Sequence, residues 1–266
     1  MAARILSEIW IYPIKSLGGI RMSRVKVMPK GLQHDRRWML IDETGNFITQ
    51  RVYSKMAFFK LSFSGQHFSI SFGSEVIDLP VDAPVSTTPI SATIWDDVVS
   101  VFEALGPFSQ WFSQRLGISC RLVFFPESQV RLVDENYRVE DDQVSLADGY
   151  PFLIIGQRSL EDLNTRLKIP VPMNRFRPNF VFTGGEPFEE DTWHTFSIGK
   201  SKFIGVKPCS RCTLITVDQE TGEKGIEPLA TLATYRKVDN KINFGQNILA
   251  IDYNEIYEGD KIELDE

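Results

Sequence analysis

Cysteine is scarce in this chain: three among 266 residues, an odd number that builds no disulfide framework and fits free thiols in a reducing compartment. Histidine is equally scarce. His34, His67 and His194 are scattered, and Cys120 stands apart from the Cys209–Cys212 pair, so no second paired motif completes a closed four-ligand zinc site. No apolar run approaches the roughly eighteen residues that a membrane helix needs. The opening stretch, Met1 to Trp10, lacks the basic-then-apolar order of a secretory leader. No membrane segment is expected, and a cytoplasmic protein is. Positive charge is in deficit, with 29 Lys and Arg against 35 Asp and Glu for a net charge of −6, which argues against a nucleic-acid footprint. Any anion must be met by a local cluster. Internal repeats and low-complexity tracts are absent too.

What is present is apolar and aromatic. Hydrophobic residues make up 42% and aromatics 12%, with 19 Phe, a composition that excludes intrinsic disorder. The length exceeds the usual single domain, so one large β-rich domain or two closely packed ones is expected. Over the first hundred residues a period of two recurs, at Ile5–Tyr12, Val25–Met28, Trp38–Ile41, Phe58–Phe63, Phe68–Phe72 and Val76–Leu79. Hairpin-like turns at Asp42–Asn46 and Ser64–Gln66 separate them, which suggests a small antiparallel barrel or sandwich. Helical spacing follows at Gly106–Leu116, ending at Gly117, then at Ser159–Leu167 with Ser159 as cap, and at Pro228–Lys237. Terminal strands are expected near Ile248–Ile251 and Lys261–Leu264. The fold class is mainly β, α+β in detail: an N-terminal antiparallel β-barrel domain over residues 1–125, packed on a second β-barrel over residues 126–266 with a few peripheral helices. The boundary falls loosely in the charged stretch Pro126–Asp142, read as an exposed connection.

Four segments carry candidate chemistry. The most informative is Val206–Gly222, where Cys209 and Cys212 lie beside Lys207 and Arg211 and next to a strand-like run, Thr213–Val217. A cysteine binds metal or attacks only as its thiolate, and these cations would stabilise that anion. Such a thiolate could bind a soft metal or do redox work. A structural zinc site, a thioredoxin-like dithiol and two ordinary reduced cysteines beside a turn remain alternatives for this segment taken alone. Elsewhere, turns gather cations. Tyr12–Gly19 offers Lys15 and Ser16 before two glycines. His34–Trp38 carries Arg36 and Arg37, which would alternate across a sheet, with Asp35 as an ion-pair partner for one of them. In Arg175–Phe180, Arg175 and Arg177 would share one face of an extended chain. Together Lys15, Ser16, Arg36 and Arg177 could hold one phosphate. The stretch Leu146–Phe152, with Asp148-Gly149 and Pro151, reads as a turn.

Taken in order, Tyr12-Pro-Ile-Lys-Ser16, Asp35-Arg36, Asp148 to Phe152, Asn174 to Asn179, Cys209-Ser-Arg-Cys212 with Val217 to Gly222, and Phe244-Gly-Gln246 resemble the MOSC family. That family is named for the C-terminal domain of molybdenum cofactor sulfurase. The resemblance covers nearly the whole chain, including the family's N-terminal β-barrel domain. It implies a molybdenum cofactor, in which the metal sits in the dithiolene of a pterin (molybdopterin) ending in phosphate. No pyridoxal phosphate and no iron–sulfur cluster in this chain are implied. Within the family the chain is similar to the mitochondrial amidoxime reducing component and its bacterial counterparts, which reduce N-hydroxylated compounds: hydroxylamines, amidoximes and N-hydroxylated bases. The resemblance makes Cys212 the metal ligand, with Cys209 the less favoured sulfur, and puts Asp148 close to the metal as a catalytic carboxylate. Lys15, Ser16, Arg36, Gly149, Tyr150, Arg177, Asn179, Ser210 and Arg211 become cofactor contacts. Gly149 and Tyr150 depart from the small hydroxylated residues of the mitochondrial protein. Electrons would come from a separate ferredoxin- or flavoprotein-type donor, and the small-molecule substrate would be detoxified by reduction. The alternative expectation is a non-catalytic cofactor carrier or sulfur-handling module.

Overall fold

A computed structural model describes residues 3–265. In the N-terminal half the period of two becomes strands. Arg24–Met28 alternates exposed and buried side chains, while Trp38–Ile41, at the end of a four-stranded antiparallel sheet, is buried throughout because Trp38 and Leu40 pack into one apolar cluster and Met39 and Ile41 into another. That sheet runs in the order Trp38–Ile41, Arg121–Phe124, Asp97–Ala104, Val85–Ile94. A separate meander joins Lys60–Phe63, His67–Phe72 and Glu75–Pro80. The turn after Trp38–Ile41 is closed by Asp42, whose Oδ1 accepts from the backbone N–H of Thr44 and Asn46. Gly45 takes a φ of 88° there, and a Cβ at that position would lie 2.7 Å from the Ser91 carbonyl oxygen. The helix Phe108–Leu116 buries Phe108, Phe112 and Leu116 and stops at Gly117 in the left-handed conformation.

Seven strands close a barrel. Around the ring they run Phe152–Gly156, Phe180–Thr183, Arg4–Ile11, Lys261–Leu264, Thr195–Ile198, Ser201–Ser210 and Lys241–Ala250, and the last pairs back on the first. Only the contact of Phe152–Gly156 with Phe180–Thr183 is parallel; every other contact in the ring is antiparallel. Arg4–Ile11 comes from the start of the chain and closes a ring otherwise made of C-terminal strands. In return Glu255–Tyr257 pairs with Arg24–Met28 in the first half. Phe152, Phe180, Phe196 and Phe203 are fully buried in the barrel and meet in stacked and edge-to-face pairs, and the buried Phe182 packs tilted against Trp193. Each buried ring removes enough apolar surface from water to favour folding by roughly 2–3 kcal/mol.

Local expectations fail where tertiary partners intervene. Thr213–Thr216 is a 3-10 turn and not a strand: the Thr216 hydroxyl donates to the Thr213 carbonyl at 2.8 Å, and Ile215 N–H donates to the Cys212 carbonyl. Ser159 caps nothing. The helix begins earlier, at Gln157–Arg166, and the Ser159 hydroxyl is buried against both oxygens of Glu190. Arg175 ends the 3-10 turn Met173–Arg175, so it does not share a face with Arg177: it points to the Ile215 carbonyl and Asp218. Arg36 and Arg37 lie in a turn before their strand. Arg37 is buried against Glu127 and the Asp35 carbonyl.

Candidate cofactor site

The strand Arg4–Ile11 ends at the Tyr12-Pro-Ile-Lys-Ser turn, of which Lys15 and Ser16 line a cavity of about 300 Å³. Eight non-glycine residues among those described have positive φ, and three of them, Ser16 (67°), Arg36 (50°) and Arg177 (56°), line this one cavity. Each such conformation costs on the order of 1–3 kcal/mol and persists only where the surroundings enforce it. Strain is thus concentrated where cations converge.

Lys15 is almost fully buried. Its ammonium donates to the Leu146 carbonyl at 2.7 Å and to Asp148 Oδ1 at 2.5 Å, and it sits over the Phe47 ring. Burial pushes its pKa down to about 8, with Asp148 opposing. For Asp148 burial pushes upward, but the Lys15 ammonium, a Trp95 hydrogen bond and the Arg51 charge prevail, holding the carboxyl well below the usual range. Its side chain is nonetheless 63% exposed, opening into the cavity.

Two arginines flank one ring. The guanidinium of Arg36 lies 4.4 Å from the Tyr12 ring centroid and that of Arg177 4.2 Å from it. Tyr12 is held in turn: its hydroxyl donates to the Pro178 carbonyl and its backbone N–H to Asp35 Oδ1. Asp35 takes Arg36 as ion-pair partner, Oδ2 to Nη1 at 2.6 Å, and Asn179 Oδ1 accepts from the same nitrogen at 3.3 Å. Arg177 differs. Among the described residues no acceptor meets its guanidinium. Burial lowers it to about 10, so it remains a cation at neutral pH.

The sulfurs divide. Cys209, near the end of Ser201–Ser210, packs partly on apolar residues and accepts from Arg211 Nη1 at 2.9 Å. Arg211 also donates to the Phe176 carbonyl. Lys207 turns from both sulfurs toward Tyr137 and Tyr150, 3.8 and 5.0 Å from their ring centroids. The cationic neighbour expected for the thiolate pair therefore belongs to Cys209. Cys212 heads the Thr213–Thr216 turn, is exposed, and faces the same cavity.

Every metal, catalytic and cofactor contact that the family resemblance implies lines this cavity, Lys15, Ser16, Arg36, Asp148, Gly149, Tyr150, Arg177, Asn179, Cys209, Ser210, Arg211 and Cys212, whereas Arg37 and Arg175 do not. A Cβ at Gly149 would meet nothing within 4 Å, so space is open beside Asp148. The Tyr150 hydroxyl is buried without a partner. Phe47, Thr49 and Arg51 also line the wall and carried no sequence signal, being a plain segment after a hairpin turn. Tyr12 was legible as part of its motif but not as a spacer between arginines. Among the residues lining the cavity Asp148 is the one carboxylate, Asp35 lying behind Arg36. The arrangement suits an anionic ligand with a soft atom near Cys212.

Comparison with known proteins gives a consistent outcome. Residues 141–263 match the MOSC domain, and residues 3–119 match the MOSC N-terminal beta barrel domain. Mitochondrial amidoxime-reducing component 1 of Mus musculus is 34% identical over 246 residues, covering 88% of this chain and 72% of that protein. The molybdenum cofactor sulfurase of Oryza sativa subsp. japonica is 30% identical over 285 residues, covering 96% of this chain but 33% of that protein. Among solved structures, the YUAD protein of Bacillus subtilis aligns over 98% of this chain and 95% of its own, with a TM-score of 0.47 at 10% identity.

Proposed function

Because the chain belongs to the MOSC family, we propose that it binds a molybdenum cofactor and reduces N-hydroxylated compounds with electrons from a separate ferredoxin- or flavoprotein-type donor. One observation carries this reading: a single cavity gathers the Cys212 thiol with Lys15, Ser16, Arg36 and the acceptor-free guanidinium of Arg177. The similarity to an amidoxime-reducing component supports the reaction class.

The donor set fits the cofactor. Among the described residues no group of three or more His, Cys, Asp or Glu side chains forms a metal site. A metal here would therefore have Cys212 as its one strong protein ligand and would have to bring the others with it, as a dithiolene-bound metal does. Arg177, Arg36 and Ser16 would hold the phosphate-bearing tail, with the Arg36 position fixed by Asp35 and Asn179, while Lys15, paired with Asp148, would contact the cofactor nearer the metal. Gly149, Tyr150, Ser210 and Arg211 would line the rest, Tyr150 offering an unpartnered hydroxyl.

When bound, the cofactor supplies the two-electron redox chemistry. Converting N–OH to N–H consumes two electrons and two protons and releases water. Lys15 Nζ, poised at about 8, can hold one of those protons at neutral pH. Asp148 stays ionised and accepts hydrogen bonds next to the reacting group. No helix among the described residues is long and apolar enough to cross a membrane.

The test is turnover. Protein from a cofactor-competent host, given a chemical reductant and benzamidoxime, is expected to form benzamidine. Bound molybdenum without amidine would instead favour the carrier or sulfur-handling reading.

A further inference from the structure

Asp148 is gripped on one oxygen only. Lys15 Nζ and Trp95 Nε1 both donate to Oδ1, at 2.5 and 3.2 Å, and among the described residues no donor reaches Oδ2. Trp95 makes this contact from a distant part of the chain, the hairpin between Val85–Ile94 and Asp97–Ala104. Its φ is 56°, a strained conformation for so bulky a residue. The residue remains 45% exposed, packed against Phe47 and with the Arg51 guanidinium 4.0 Å from its ring, both of these neighbours lining the cavity. That positive φ is set by the two-residue turn between Ile94 and Asp97, whose first position calls for it, and the turn places the indole against Phe47 and Asp148.

Arg131 fastens the same assembly from behind. It is buried and donates to the carbonyls of Ser145 and Ala147, at 2.8 and 2.6 Å, and of Asp148, at 3.1 Å. The same guanidinium reaches Asp97 Oδ2 at 2.8 Å, two residues after Trp95 at the turn end of its hairpin. One cation thus ties the Asp148 loop to the Trp95 hairpin. The carboxylate is fixed in position through its backbone and fixed in rotation through Oδ1. Oδ2 is left without a donor among the described residues, on a carboxylate that lines the cavity beside the open space at Gly149.

Resting on the reductase reading, we infer that Trp95 is a positioning residue: with Lys15 it locks Oδ1 of Asp148 and presents Oδ2 to the substrate. An ionised oxygen held in this way accepts hydrogen bonds and donates none. The site then favours N-hydroxylated substrates that carry an N–H on the neighbouring nitrogen, such as amidoximes and N-hydroxyguanidines, over analogues in which that nitrogen is fully alkylated.

Equilibrium binding tests this without turnover. Benzamidoxime and N,N-dimethylbenzamidoxime are titrated calorimetrically into the cofactor-loaded protein with no reductant present. A hydrogen bond to a charged acceptor predicts a wild-type preference for benzamidoxime of about tenfold or more. Trp95→Phe keeps an aromatic ring but loses the N–H donor, and the preference is expected to fall toward parity at unchanged affinity for the dimethyl compound. Asp148→Asn gives a second route to the same loss. A structural role for Trp95 would weaken both ligands by one factor. The inference is overturned if wild type binds the two equally or binds neither, if Trp95→Phe keeps the preference, or if both ligands weaken together. Preference without turnover sinks the reductase reading alone, and turnover without preference sinks this inference alone.

Discussion

Removing the ring between Arg36 and Arg177 should dismantle the cation clasp. The two guanidiniums sit 4.4 and 4.2 Å from the Tyr12 centroid, and Tyr12 is only 3% exposed, so both contacts are largely desolvated. Each is worth about 1–2 kcal/mol in that setting, so Tyr12→Leu forfeits about 2–4 kcal/mol before any repacking. Tyr12→Phe keeps both contacts and loses only the hydroxyl bond to the Pro178 carbonyl, a cost of about 1 kcal/mol. For a chain of this size the difference is roughly 5–10 °C in melting temperature. Thermal denaturation of the three proteins measures it, and titration with inorganic pyrophosphate reports whether the arginines still act together. Expected is near-wild-type behaviour for Phe and a marked loss of both stability and anion binding for Leu. Equal losses for Phe and Leu would refute the reasoning, since the ring would then contribute nothing beyond its hydroxyl.

Three further outcomes follow from the buried charges. Lys15 titrates near 8 in the folded protein and near its ordinary value when unfolded, so the folded state gains relative stability as pH rises through that window, while the cavity loses a cation. Pyrophosphate affinity should therefore drop between pH 7 and 9 in wild type and stay flatter in Lys15→Met. Glu190 is fully buried, and burial raises its carboxyl to about 7 against hydrogen bonds from Gly156 and Ser159. Its contribution is complete below the unfolded pKa and lost as pH rises through about 7, so Glu190→Gln should flatten the fall in melting temperature between pH 5 and 8. Arg131→Met strips donors from the carbonyls of Ser145, Ala147 and Asp148 at about 1 kcal/mol each, and hydrogen exchange in residues 145–148 should accelerate at least tenfold.

Much of the candidate site was legible because its parts are turns with charge. Lys15, Arg36, Arg177 and the two cysteines each stand in a short segment whose Gly, Pro or adjacent cations mark it locally, and all of them reach one cavity. What stayed hidden depends on pairing between distant strands. Trp95 and Arg131 gain meaning only when Asp97 and the Asp148 loop are brought together. Arg4–Ile11 buries Leu6, Ile9 and Ile11 across a bulge between Leu6 and Glu8, and nothing in its local sequence announces Phe180–Thr183 and Lys261–Leu264 as its neighbours. Thr213–Thr216 is rich in β-branched residues, yet the bond from the Thr216 hydroxyl back to Thr213 and the turn at Cys212 outweigh that preference. Ser159 looked like a cap because its spacing was right, but Glu190, far along the chain, claims its hydroxyl.

The most direct measurement is the molybdenum content of wild type, Cys212→Ala and Cys209→Ala purified from the same cofactor-competent host. About one metal atom per chain in wild type and in Cys209→Ala, with little in Cys212→Ala, is the expected result. Full occupancy in Cys212→Ala, or loss confined to Cys209→Ala, would contradict the assignment of the exposed sulfur as the metal's anchor.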